Sequence, residues 1–128
     1  MMGKVILNLT QHKSTPEQVA QGVKDLSDKG REVLSGLLTF DELPSKEDIR
    51  ERALKIATMA SWSVIPDGEF AAMIGGAPYL MGPLEEELRK QGITPVYAFS
   101  KRESVDQPQP DGTVRKVAVF RHVGFVEA

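Results

Sequence analysis

The stretch Ala71–Tyr79 is the part of the sequence that most constrains the fold. Its apolar residues stop at Gly75 and Gly76, and Pro78 then opens a helical pattern. An apolar run bounded by glycine is typical of a buried strand, and proline suits the first position of a helix. At such a turn the backbone can approach a ligand closely, and the helix N-terminus offers N–H groups to an anion. The pattern predicts one wall of a phosphate or nucleotide site; a tight strand–helix connection without a ligand is the alternative.

Four further segments have the short, apolar, β-branched character of strands. They are Lys4–Leu9, Val23–Leu26, Thr94–Phe99 and Val114–Val126. Turns are predicted at Pro66–Gly68 and, between the last two strands, around Asp111–Gly112.

Helices are predicted behind the caps Thr15, Ser27 and Ser45, the first with a capping box completed by Gln18. The third helix should bury the stripe Ile49, Ala53, Ile56, Ala57 and Ala60, and the helix after Pro78 should bury Leu80, Leu84 and Leu88. We expect Trp62 to pack the end of the third helix on the sheet; stacking on a ligand is the alternative.

The order of these elements predicts an α/β fold in one domain spanning residues 1–128. We expect a small Rossmann-like three-layer sandwich. Its sheet should be mixed but mainly parallel, and it should close with a C-terminal antiparallel β-hairpin.

Composition excludes several classes of function. The chain of 128 residues has no cysteine and only two histidines, which argues against a thiolate or histidine-rich metal centre and predicts no metal and no cofactor. A formal net charge of −2 argues against broad binding to duplex nucleic acid, although a local basic patch could still hold a small anion. No segment has the length of a membrane span or the pattern of a signal peptide, so we expect a cytoplasmic protein without a membrane partner.

Polar clusters follow three of the predicted parallel strands, and the carboxyl ends of such strands share one edge of the sheet. The cluster after the first strand contains Asn8, Thr10, Gln11 and His12; the second contains Gly75, Gly76, Ala77 and Pro78; the third contains Ser100, Lys101 and Arg102. Together they offer donors, cations and a glycine turn, which suits phosphates with a base or ribose. We therefore predict ligand binding by Asn8, Thr10, Gln11, Gly75, Gly76, Ala77, Pro78 and Ser100.

His12, Lys101 and Arg102 are the catalytic candidates of this set. A histidine could take a proton from a hydroxyl or give one to a leaving oxygen near neutral pH, and the two cations could neutralise phosphate charge. A loop histidine bonded to a backbone carbonyl and two plain surface charges are the alternatives.

Several segments, in order along nearly the whole chain, resemble small CRISPR-associated proteins of type III systems. The segments are Leu7–His12 with Thr15–Gln18, Gly75–Gly76, Ile93–Ala98, Pro110–Lys116 and Phe120–Val123. The sequence is similar to single-domain CRISPR-associated Rossmann-fold (CARF-like) proteins, some of which are ring nucleases.

This resemblance implies a cyclic oligoadenylate ligand, with cyclic tetra-adenylate favoured, bound across the two-fold axis of a homodimer. It further implies metal-independent cleavage, in which a ribose 2′-hydroxyl attacks the adjacent phosphate, so that the protein would switch off type III CRISPR signalling. The resemblance assigns no catalytic residue, so the candidates remain those at the strand ends. A non-catalytic sensor of the same ligand and an unrelated small nucleotide-binding protein stay open as alternatives.

Overall fold

The computed structural model describes residues 5–63 and 70–128 of the chain. Within these ranges the chain folds into an α/β architecture of five strands and four helices. The strands are β1 (Val5–Asn8), β2 (Val23–Asp25), β3 (Phe70–Met73), β4 (Thr94–Pro108) and β5 (Val114–Glu127). The helices are α1 (Pro16–Ala20), α2 (Asp28–Leu38), α3 (Lys46–Trp62) and α4 (Pro78–Lys90). The predicted turn at Pro66–Gly68 and Lys4, the predicted start of the first strand, lie outside the described residues.

The strands form one mixed sheet in the order β2-β1-β3-β4-β5. Strands β2, β1, β3 and β4 are parallel to one another, and β5 is antiparallel to β4. The predicted α/β class and mixed sheet are confirmed, and the arrangement is compatible with a Rossmann-like fold.

Local sequence signals set the starts of three helices. Thr15 forms the predicted capping box with Gln18, in which each side chain bonds the backbone N–H of the other residue. The hydroxyl of Ser27 accepts from the N–H of Gly30, and that of Ser45 accepts from the N–H of Asp48.

The main core lies between one face of the sheet and helices α2, α3 and α4. Its strand residues include Leu7 and Ala72, which point to this face because side chains alternate along a strand. The predicted helical stripes are confirmed: Ile49 is partly buried against this core, and the other members, Ala53, Ile56, Ala57, Ala60, Leu80, Leu84 and Leu88, are buried.

The opposite face of the sheet carries a smaller apolar cluster of Ile6, Val23, Ala71, Met73 and Val96. Helix α1, which contacts β2 and β5, has no buried residue. The layer on this face is therefore thin.

Strand β4 continues well past the end of its parallel neighbour β3. It pairs with β3 only as far as Val96, but it pairs with β5 as far as Pro108. Residues 100–122 thus form a two-stranded antiparallel extension, which we call the arm. The prediction that the strand ends at Phe99 is wrong, because pairing with β5 keeps a polar segment in extended conformation where neither face needs to be apolar.

The arm begins at an irregularity in the pairing. Phe99 lies opposite Gly124, but Ser100 lies opposite His122, so Val123 has no partner in the ladder. Gln21, at the end of α1, holds this point: its Nε2 donates to the carbonyl oxygen of Val123 at 3.1 Å, and its Oε1 lies 2.8 Å from His122 Nε2. This contact fixes the base of the arm to α1.

Trp62 is 85% exposed, so the prediction that it packs on the sheet is wrong. The buried stripe of α3 ends at Ala60, and two residues further the helix has turned by about 200°. Trp62 therefore points away from the core.

Among the helices of the described residues, none combines the length and apolar character that crossing a membrane requires.

The fully buried Leu84 tests the main core. We expect Leu84→Ala to lower the free energy of unfolding by about 2–5 kcal/mol, because it removes buried methyl groups and leaves a cavity. Leu54→Ala is the matched control, since Leu54 is 48% exposed on α3, and it should cost less than about 1 kcal/mol. Urea unfolding of both variants measures the difference, and equal losses would contradict this assignment of the core.

Candidate functional site

A cavity of about 550 Å³ opens beyond the carboxyl ends of β1 and β3 and against β4. From β1 the chain moves to β2 on one side, whereas β3 lies on the other side of β1. Ligands of open α/β sheets bind at such a switch point, where the connections diverge. The cavity is lined by Thr10, Gln11, His12, Lys13, Thr15, Gln18, Leu38, Met73, Ile74, Gly75, Gly76, Ala77, Tyr97 and Ala98.

The buried side chain of Asn8 shapes the loop that carries the first group of lining residues. Its Nδ2 donates to the carbonyl oxygen of His12 at 2.7 Å and to Oδ1 of Asp25 at 2.8 Å. Its Oδ1 accepts from the backbone N–H and the hydroxyl of Thr10, at 2.9 and 2.7 Å. An amide offers two hydrogens and two lone pairs, so all of its capacity is used.

The carboxylate of Asp25 extends this network from the end of β2. It accepts from the backbone N–H of Ser14 at 3.2 Å and from its hydroxyl at 2.9 Å, as well as from Asn8. Burial raises the pKa of Asp25, but the hydrogen bonds from Asn8 and Ser14 and the charge of Arg31 lower it, and the net pKa is below its ordinary value. Asp25 is therefore an ionised anchor that holds both ends of the loop.

The turn after β3 forms the second wall. Gly76 has φ +150°, a backbone conformation that residues other than glycine rarely adopt. A Cβ on Gly75 would lie 3.6 Å from Cγ2 of Thr10, so the two loops are in near contact. Ala77 is the N-cap of α4 and makes no side-chain cap bond, while Pro78 occupies the first turn. The helix thus begins at the cavity without a protein side chain as its cap.

Among the residues that the structure describes, the ionisable side chains that line the cavity are His12, Lys13 and Tyr97. The hydroxyl of Tyr97 donates to Oε2 of Glu85 at 2.5 Å. Burial, then this hydrogen bond and the charge of Glu85, raise the pKa of Tyr97 to about 12. At neutral pH Tyr97 is thus a neutral donor already bonded to Glu85, which leaves His12 and Lys13 as the groups that can exchange or neutralise charge.

The structure brings together most of the predicted residues of the first two clusters. Thr10, Gln11, His12, Gly75, Gly76 and Ala77 all line the cavity. Asn8 lies beneath the loop with no free donor or acceptor, so the geometry gives it a positioning role in place of the predicted ligand contact. Pro78 opens α4 and does not line the cavity.

The third cluster does not join them. Ser100, Lys101 and Arg102 lie within β4, at the base of the arm, and are exposed and absent from the cavity lining. The premise that they form a loop at a strand end is wrong, because β4 continues to Pro108. Their catalytic or binding roles remain predictions. Within one copy of the chain, these three residues do not reach the cavity.

Sequence reasoning missed Lys13, together with Thr15, Gln18 and Tyr97, as residues of the lining. Lys13 follows His12 in the same loop, and Gln18 belongs to the capping box, so both stood next to identified signals. Tyr97 belongs to a strand predicted from its apolar pattern, and it contacts the cavity because β4 passes the edge where β3 ends.

Within the described ranges 5–63 and 70–128, no group of three or more histidine, aspartate or glutamate side chains is placed to hold a metal ion.

Comparison with known proteins gives one match. The model of the uncharacterized protein MJ1673 family matches residues 4–126. No curated protein and no solved structure matches the chain.

Replacing the amide of Asn8 tests the loop network. Asn8→Asp is isosteric but removes both donors and sets a second carboxylate beside Asp25. We expect a loss of roughly 3 kcal/mol in the free energy of unfolding at pH 7. The same exchange at exposed Gln11, which donates only to Thr39, should cost less than about 1 kcal/mol. Urea unfolding compares Asn8→Asp with Gln11→Glu, and a similar cost for both would contradict the role of Asn8.

The pH dependence of stability tests Asp25. Its pKa is lower in the folded chain than in the unfolded one, so its stabilisation is fully present above pH 4, about its unfolded pKa, and is lost as pH falls through the folded value. Asp25→Asn should therefore be less stable than the parent chain at pH 7, and the gap should narrow as pH falls. Urea unfolding at a series of pH values measures the gap; a constant gap would show that the carboxylate charge contributes nothing.

Proposed function

Because the chain belongs to the uncharacterized protein MJ1673 family, whose description assigns no activity, we propose a function from its cavity. We propose that the cavity binds the phosphates of a nucleotide, and that this nucleotide is a cyclic oligoadenylate. The observation that carries the proposal is the meeting of Lys13, His12 and the Gly75–Ala77 turn at the switch point of the sheet.

Each part of this cavity has a function in holding a phosphodiester. Lys13 supplies positive charge, Thr10 and Gln11 supply polar side chains, and the start of α4 supplies the positive end of a helix dipole. Leu38 and Met73 supply apolar surface on which a base can pack.

The resemblance to CARF-like proteins supports the finer part of the proposal, which is cyclic tetra-adenylate as the ligand and a homodimer as the binding unit. A cavity of about 550 Å³ is of the size that holds a drug-sized ligand. A cyclic tetranucleotide is larger and has two equivalent halves, so two copies related by a two-fold axis could each hold one half.

We further propose that the protein is a ring nuclease. A 2′-oxygen forms a bond to the adjacent phosphorus while the bond from that phosphorus to the 5′-oxygen of the next nucleotide breaks. His12 takes the proton of the 2′-hydroxyl or gives one to the leaving 5′-oxygen, and Lys13 stabilises the charge that develops on the phosphate. The products are linear and end in a 2′,3′-cyclic phosphate.

One observation favours a second candidate, a sensor that binds without cleaving. The predicted catalytic residues Lys101 and Arg102 lie outside the cavity, so His12 is the lining residue on which proton transfer near neutral pH depends. A protein in which His12 only contacts the ligand would bind it and leave it intact.

The test combines binding and cleavage of cyclic tetra-adenylate by purified protein in EDTA. Lys13→Ala should weaken binding about 10- to 100-fold, because it removes a charge-assisted contact. His12→Ala should lower kcat about 100-fold or more while binding persists. Lys55→Ala is the matched control, since Lys55 pairs with Glu51 on the exposed face of α3, and it should change neither quantity.

The outcomes separate the candidates. Linear product that depends on His12 supports the ring nuclease, and tight binding of intact ligand supports the sensor. No binding of any cyclic oligoadenylate overturns both and leaves a different nucleotide as the ligand of the cavity.

A further inference from the structure

The arm has two unlike faces, defined by residues that lie opposite each other in the ladder. On one face Val105 lies opposite Val117, with Val119 one pair further along, and these valines are half-buried. Glu103 and Arg121 on the same face form an ion pair at 3.0 Å. This face therefore keeps its valines half-buried and pairs Glu103 with Arg121, while Lys101 and Arg115 lie exposed on it.

The other face, which we call the Phe120 face, is open. Phe120 is 72% exposed and lies opposite Arg102, and Val114 at the far end is 62% exposed. Lys116 lies between them, opposite Asp106. This face thus combines exposed apolar groups with two cations, Arg102 and Lys116, and one carboxylate, that of Asp106.

A loop of complementary character follows Leu38, which lines the cavity. In the connection between α2 and α3, which we call the acidic loop, Asp41 and Glu42 are exposed and Leu43 is 97% exposed. Arg52 holds the start of this loop. Its guanidinium lies over the Phe40 ring, 4.2 Å from the ring centre, and donates to the carbonyl oxygen of Thr39 at 2.5 Å. The tip therefore presents an apolar side chain and two carboxylates on a fixed base.

The acidic loop and the arm belong to the same edge of the sheet. Thr39, at the start of the loop, accepts from Nε2 of Gln11 in the cavity wall at 3.1 Å, and β4 runs from the cavity wall at Tyr97 and Ala98 directly into the arm. A contact between the arm of one copy and the loop of another thus lies beside the cavity.

We propose that the Phe120 face of the arm docks on the acidic loop of a second copy, and that two copies exchange this contact across a two-fold axis. Phe120 packs on Leu43 of the partner, while Arg102 and Lys116 face the carboxylates of Asp41 and Glu42. The inference rests on the homodimer of the proposed function but not on its ligand or its chemistry.

Charge favours a second copy as the occupant. The arm carries five basic and three acidic residues although the chain as a whole has a net charge of −2, so the rest of the chain is acidic. Opposite charge on two surfaces of one chain makes a contact that forms twice in a two-fold dimer. A two-stranded ribbon alone is marginally stable in water, so docking also stabilises the arm.

The contact gives Arg102 a role that a single copy does not offer. Docked on the acidic loop, the arm brings Arg102 to the loop that Gln11 ties to the partner's cavity wall. Arg102 then stabilises the loop at the edge of the partner's cavity. It acts as a positioning residue for the partner's ligand and does not contact that ligand.

The experiment reverses the charges on the arm or on the loop and measures the molecular mass in solution, without nucleotide. The arm variant Arg102→Glu/Lys116→Glu and the loop variant Asp41→Lys/Glu42→Lys should each dissociate about 100-fold more readily than the parent dimer, because like charges then face each other. An equimolar mixture of the two should restore the dimer, since each arm then meets a loop of opposite charge. Light scattering after size exclusion and analytical ultracentrifugation measure the populations.

Arg115→Glu/Lys29→Glu is the matched control, with the same change in net charge at exposed sites on the other face of the arm and on α2, and it should stay dimeric. Circular dichroism establishes that every variant is folded.

A parent chain that is monomeric at all concentrations, a dimer that survives both exchanges, or a mixture that fails to re-associate would overturn the proposal. Loss of an RNA-binding activity in the arm variant, with the dimer intact, would assign the Phe120 face to nucleic acid instead. Failure of cyclic tetra-adenylate to bind leaves this readout unchanged, so the two proposals can fail separately.

Discussion

The saturated amide of Asn8 is the interaction on which the cavity depends. It stands at the end of the central strand β1 and joins the following loop to β2 through Asp25. A single hydrogen bond contributes about 1 kcal/mol net, but a buried group that loses its partner costs more, so four bonds on one side chain allow the loop few other conformations. His12 and Lys13 are thereby held at the cavity even though their side chains are exposed, because the backbone beside them is fixed from below.

A side-chain amide also positions the arm, at the other end of α1. The helix is too short to bury a side chain, yet Gln21 at its end bonds to His122 and Val123 where the β4–β5 ladder is irregular. The unpaired residue leaves a carbonyl group that the ladder cannot satisfy, and the Gln21 amide satisfies it. Helix α1 therefore connects the loop of Asn8 to the base of the arm, and Thr15 and Gln18 line the cavity between them.

Much of the fold could be predicted because its signals are local. Helix starts depend on residues three positions apart, as at Thr15 and Ser45, and buried stripes depend on helical spacing, as in α3 and α4. What failed depends on distant partners. The polar segment after Phe99 is a strand only because β5 pairs with it, and Asn8 has a positioning role only because Asp25, seventeen residues away, accepts from it. Of the candidate site, Thr10, Gln11, His12 and the Gly75–Ala77 turn could therefore be placed at one edge of the sheet, while Ser100, Lys101 and Arg102 lie in a strand and not in the predicted loop.

The acidic loop gives the two proposals a common physical basis. Gln11 lines the cavity and donates to Thr39, so it joins the cavity wall to the start of the acidic loop. In the proposed dimer the tip of that loop receives the partner's arm, and the same element then takes part in both contacts. Coupling between two binding events is reciprocal, so the dimer should bind the ligand more tightly by the same factor by which the ligand strengthens the dimer. In the proposed complex, a cyclic ligand with two equivalent halves would engage both loops at once, and this coupling would then be largest for the symmetric complex.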